Sequence, residues 1–191
     1  MTVEEIFSKL VAHLREGLMF HKQLVQIYSF LNLCGYQKCQ EYHYYEESYN
    51  CLCLRNFYMK HYYKLIPPQD VKNPELIPSS WYKYKKMDVD INTKRSSIKE
   101  TLQKWVNWEE STKKLLEEDY IELYNMKEIA AALKIAELIN DVSEELQRAQ
   151  EKLINLSSSN FDMTLILEEQ NDLYEKYKKK IKNIYKDDND D

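Results

Sequence analysis

His43, Glu46 and Asn50 recur at three- and four-residue intervals within 35–63, GYQKCQEYHYYEESYNCLCLRNFYMKHYY. At about 100° per residue they share one helical face with Cys39, Leu54 and Phe57. The apolar members of that face suit a core. An imidazole, a carboxylate or an amide there costs several kcal/mol unless it meets a partner, so the face must pack against a metal ion or a hydrogen-bond network. Two further residues have the same character. His21 lies near the centre of the apolar stripe Ile6, Leu10, Leu14, Gly17, Leu24, Tyr28, and Glu109 interrupts the line Ile98, Leu102, Trp105, Thr112, Leu116, Tyr120, Leu123. A charge at a central seam position is rare unless it is paired or metal-bound.

Two chemistries fit His21, His43, Glu46 or Glu47, and Glu109. One is mixed imidazole and carboxylate ligation of one or two ions, which suits iron, manganese or zinc. The other is a metal-free buried network in which Glu109 accepts from His21 and His43. His13 and His61 read as partly exposed structural residues, and the tyrosines between Tyr42 and Tyr63 as core and interface. Cys34, Cys39, Cys51 and Cys53 do not have the spacing of a zinc knuckle and read as free thiols. No Gly-rich phosphate loop, GxSxG or Cys–His turn is present.

The elements that would position these groups are long helices. The 191 residues contain two glycines and four prolines, and all the prolines fall between Pro67 and Pro78. A first helix is expected from about Val3 to Leu31, opened by a Thr2/Glu5 capping box. Gly17 within its seam implies close approach by a neighbour. The short connection 32–35 returns the second helix antiparallel to the first, and turn-counting sets His21 level with Glu46 and Glu47. The second helix ends near Leu65. The connection Ile66–Asn92 is long enough for the third helix, about Thr93–Met126, to run parallel to the second, with Trp81, Tyr82 and Tyr84 tacking it to the bundle. A fourth helix spans about Glu128–Leu156 on an apolar line of Ile139, Val142, Leu146, Ala149 and Leu153. A fifth covers about Asp162–Tyr185, and the tail Asp187–Asp191 reads as disordered. The organisation is then a bundle over 1–157, an additional helix over 158–186 and an acidic tail over 187–191.

Net charge is −5, and no basic stripe stands clear of acidic neighbours, which argues against nucleic-acid binding. The N-terminal stretch does not read as a signal peptide, and no apolar run approaches membrane-spanning length. A cytoplasmic protein with no membrane association is the expectation.

Glu46-Glu47-Ser48-Tyr49-Asn50 resembles the EExxH segment of ferritins. Gln69-Asp70-Val71-Lys72-Asn73-Pro74 is similar to their QDIKKP-type crossover, and Trp108-Glu109 falls where ferritins carry a third-helix glutamate ligand. The resemblance covers roughly residues 3–155. It implies an all-α, ferritin-like four-helix bundle with a long crossover between the second and third helices and an extra C-terminal helix. It also implies Glu47 and Glu109 as metal ligands. The family's histidine position is Asn50 here, a far poorer iron ligand. Glu16 is the nearest first-helix glutamate, but face and level favour His21. The fourth-helix position falls on Asn140 or Asp141, outside the seam, and neither is carried over. The resulting expectation is a metal-binding, iron-handling or oxidoreductase-type bundle. Iron(II) would sit at His21, His43, Glu46 or Glu47, and Glu109, with Asn50 beside it, and oxygen would be reduced there. The alternative is a metal-free structural bundle that binds a protein partner. The long last helix argues against a closed cage, which leaves a homodimer, another protein partner or a monomer.

Overall fold

The computed structural model describes residues 1–67, 70–83, 85 and 89–184. Pro68, Gln69, Tyr84, Tyr185 and the acidic tail, which all entered the expectations above, lie outside them. Among the described residues the chain is all-α, with five α-helices and no strand. These are α1 (Val3–Phe30), α2 (Cys34–Tyr62), α3 (Ile91–Asn125), α4 (Ile129–Ser158) and α5 (Met163–Ile181), with a short 3₁₀ turn at Ser79–Lys83.

Each boundary has a local cause. Thr2 caps α1 by accepting from the Glu5 amide at 3.2 Å, while Glu5 accepts from the Thr2 amide at 2.7 Å, the reciprocal box that satisfies two orphan donors. Asp90 accepts from the amides of Asn92 and Thr93 at the start of α3, and Asp162 from Thr164 at the start of α5. Left-handed residues close the helix ends. Asn32 (φ 60°) follows α1, Tyr63 (φ 56°) ends α2, and Lys127 (φ 65°) turns α3 into α4. The second helix thus stops a few residues short of Leu65, because Tyr63 has already left the helical region ahead of Pro67.

The partners across α1 fix the helix directions. Tyr28, His21 and Gly17 lie against Tyr36, His43 and Glu47 of α2. On α3 the partners of Tyr28, His21, His13 and Lys9 are Thr101, Glu109, Thr112 and Asp119. Both neighbours therefore run antiparallel to α1, and α2 and α3 point the same way. The 63–90 connection is tied to α1 by Gln23, which donates to the Pro74 carbonyl and accepts from the Leu76 amide at 2.7 Å. Trp81 packs on Phe30 with ring centroids 5.3 Å apart. Tyr82, expected to help tack the segment down, is 78% exposed.

The core falls into two halves. One is built from Phe20–Leu31 of α1, Ile98–Val106 of α3, the C-terminal half of α4 and the inner face of α5. The other joins Ile6–Leu14, Cys51–Tyr58, Leu116–Leu123 and Ala131–Val142. Between them, at the middle of α1 to α4, the buried side chains are polar: His21, Gln40, His43, Glu47, Glu109, Thr112 and Glu145.

α5 lies along the first half of α2. Tyr36 donates to Glu169 at 2.7 Å, and a Cβ at Gly35 would meet the Gln170 carbonyl oxygen at 2.2 Å. Backbone cannot yield there as a side chain can. Gly35→Ala should therefore cost about 1–3 kcal/mol, as overpacking does, instead of gaining the stability that alanine normally brings to a helix. Urea denaturation of the two proteins measures the difference, and an unchanged or higher midpoint would contradict the close contact.

Candidate metal centre

The polar layer is built by one or two turns from each of four helices. α2 supplies His43 and Glu46, spaced i, i+3, and α4 supplies Glu145. His43 Nδ1 lies 3.1 Å from Glu145 Oε2 and 3.4 Å from Glu46 Oε2. One donor atom from each residue falls within 4.8 Å of the other two. His43 Nδ1 and Glu46 Oε2 nevertheless make no aligned hydrogen bond, and both atoms are buried. The other Glu46 oxygen accepts from Tyr42 OH at 2.6 Å, which fixes the carboxylate. Rings of His21, Trp105 and Tyr42 stand 5.0–5.4 Å from the His43 ring and, with Tyr177 at 6.1 Å, wall it off from water.

On the other side of the layer, His21 is fully buried and its Nδ1 is 2.8 Å from Gln40 Oε1. The amide oxygen is an acceptor, so Nδ1 carries the hydrogen and Nε2 presents a lone pair. That Nε2 has no hydrogen-bond partner and lies 3.8 Å from Glu109 Oε1. Glu109 accepts from Trp105 Nε1 at 2.8 Å. Glu47 is buried, with Oε2 unpartnered.

Electrostatics follow from burial. Among the described residues, the ion pairs of Glu46, Glu109 and Glu145 are to imidazoles, and Glu47 has none. Burial lowers the pKa of His21 to about 3, so it is neutral. Burial also opposes charge on His43, but Glu145, Cys39 and Glu46 outweigh it and raise its pKa. Glu46 is the ionised acid. Its burial is overcome by the His43 imidazole, the Glu145 proton and Tyr42, which bring it to about 2. Burial pushes Glu145 and Glu47 well above the carboxylate range, with the charges of Glu109 and Glu46 adding to the effect on Glu47. Burial takes Glu109 to about 7 against the pull of His43 and Trp105.

The sequence-derived residues separate into those the fold gathers and those it does not. His21, His43, Glu46, Glu47 and Glu109 all reach the layer, whereas Asn50 is half-buried one turn beyond Glu46 on α2. The expected level of His21 with Glu46 and Glu47 is corrected by a turn: His21 faces Gln40 and His43, and Glu47 faces Gly17. The cause is the reversal at 31–33. The left-handed Asn32 and the Leu33 N–H bond to the Tyr28 carbonyl close it earlier than the expected 32–35 connection. Glu16 points outward and accepts from the Lys72 amide. Asn140 and Asp141 are exposed.

Glu145 was missed. Of the expected α4 line, Val142 and Ala149 are buried, whereas Ile139, Leu146 and Leu153 are half-buried. The buried line is Ala131, Ile135, Leu138, Val142, Glu145, Ala149 and Leu156. Its alternating four- and three-residue spacing was readable in the sequence, and Glu145 sits on it. No known protein family matches this chain, and no similar protein was found among characterised ones.

The layer has a pH signature of its own. Glu109 ionises at about 7 in the fold against 4.5 ordinarily. Its contribution is therefore full below pH 4.5 and is lost as pH rises through 7. Stability should fall across that window, and Glu109→Gln, which keeps the acceptor for Trp105, should remove up to roughly 3 kcal/mol of the fall. Denaturation midpoints between pH 5 and pH 8 test this, and parallel pH profiles for parent and variant would contradict it.

Proposed function

We propose that the protein is a metal-binding helical bundle. In this reading His43, Glu46 and Glu145 hold a divalent transition-metal ion, and His21, Glu47 and Glu109 are the adjacent donors. The observation that carries it is the convergence on His43 Nδ1 of two carboxylate oxygens, at 3.1 and 3.4 Å, without hydrogen-bond alignment. Two ligand atoms each about 2.1 Å from a common ion stand about 3.0–3.4 Å apart at octahedral to tetrahedral angles, which matches both separations. The chemistry of the set agrees. Four carboxyls and two imidazoles gathered in one layer would carry an excess of negative charge if the carboxyls ionised, which a dication would offset, and mixed N/O donors suit iron, manganese or zinc.

The donor inventory also supports the finer assignment. Di-metal carboxylate bundles of the ferritin-like kind use four glutamates and two histidines from four helices. Here the same six groups come from α1, α2, α3 and α4 in a different distribution, and the shared direction of α2 and α3 suits the same topology. Iron or manganese bound there would supply a redox couple at the centre of the bundle, the basis for an iron-handling or oxidoreductase role. The residues' own part is to bind and orient the ion. Tyr42 fixes Glu46, Gln40 fixes the His21 tautomer, Trp105 fixes Glu109, and the aromatic wall excludes water.

A second reading has its own support. A protonated His43 between Glu46 and Glu145 is an ion pair that needs no metal, which would leave a structural bundle whose surface engages a protein partner. Metal titration separates the two. At one hundred times its dissociation constant, zinc(II), manganese(II) or anaerobic iron(II) should stabilise the parent by about 2.7 kcal/mol. His43→Ala and Glu145→Gln should each lose that increment. No stabilisation of the parent by any of the three ions, read by thermal unfolding, would favour the second reading.

A further inference from the structure

Gly17 stands where α1 faces the polar layer, and its backbone gives no reason for a glycine, because its φ is not in the left-handed region. Alanine would be the more stable residue at a helical position of this kind. Space supplies the reason. A Cβ at Gly17 would come within 2.8 Å of Glu47 Oε1, 3.2 Å of Glu47 Cδ and 3.0 Å of Trp108 Cζ2. The indole is held, stacked on His13 at 4.6 Å and on Phe20 at 5.1 Å. Glu47 is therefore the group that would have to leave. Its Oε2 is buried without a hydrogen-bond partner.

We propose that Gly17 is a positioning residue of the metal centre. The missing Cβ is the notch in which α2 holds the Glu47 carboxyl inside the layer, and this keeps an oxygen donor for a divalent cation on the Gly17 side of the set of His43, Glu46 and Glu145. The inference rests on the metal-binding reading, but its steric half does not. A Cβ at position 17 would displace Glu47, and no atom of the other three donors is among the three nearest to it.

A double-mutant cycle of Gly17→Ala and Glu47→Ala, with zinc(II) as the probe, tests both halves. By calorimetric titration, each single variant should bind zinc about 10- to 100-fold more weakly than the parent, the loss usual for disturbing a ligand's support, and the double variant no more weakly than Glu47→Ala. Parental affinity in either single variant, or losses that multiply in the double, would overturn the proposal. Thermal unfolding without metal gives the independent readout. Gly17→Ala should raise the midpoint more in the Glu47→Ala background, where the notch is vacant, than in the parent. Equal shifts in both backgrounds would overturn the notch itself. A parent that binds no zinc, manganese or iron would bring down the proposed function and the positioning role with it, while the unfolding cycle still decides the contact.

Discussion

Three buried carboxyl groups, Glu47, Glu109 and Glu145, with half-buried Glu46 beside them in one layer, are the constraint on which the rest of this bundle depends. Each would cost several kcal/mol if ionised and unpaired, and only two imidazoles and a few neutral donors face them. The two apolar half-cores, one either side of the layer, supply the burial that holds four helices together despite it. Interactions of this kind are expensive to leave incomplete and gain little over apolar packing as stability devices. A chain that only needed a bundle would be served by leucine at Glu109 and Glu145. That cost is the ground for the metal-binding reading proposed above.

The supports around the layer point the same way. Tyr42 on Glu46 and Gln40 on His21 each orient a donor group and leave another of its atoms buried without a hydrogen-bond partner, and Trp105 orients Glu109. Second contacts of this type fix tautomer and direction in metal sites. α5 contributes from outside the four helices, since Tyr177 closes over Tyr42 and His43.

Much of this was legible in the sequence because helical periodicity makes a polar residue in an apolar seam conspicuous. His21 and Glu109 stood out for that reason, and Gly17 announced a close neighbour whose identity only the fold could give. The level of one helix against the next was less legible. It depends on how tightly Leu31–Leu33 turns, and a left-handed Asn32 moved the register by a turn. Glu145 was overlooked for a different reason. Ile139, Leu146 and Leu153 form a second apolar line beside the true seam, and hydrophobicity alone does not say which of two adjacent lines faces inward. The shared helical face offered both His43 and Asn50, and the nitrogen at the centre of the carboxylates belongs to His43, one helical turn before Glu46.

Anomalous diffraction at the absorption edge of the metal found in the purified protein tests the central claim most directly. The account predicts a peak bounded by His43 Nδ1, Glu46 Oε2 and Glu145 Oε2, about 2.0–2.2 Å from each. Crystals grown with zinc, manganese or iron that show no anomalous peak in the layer, with His43 instead making aligned hydrogen bonds to both glutamates, would contradict it.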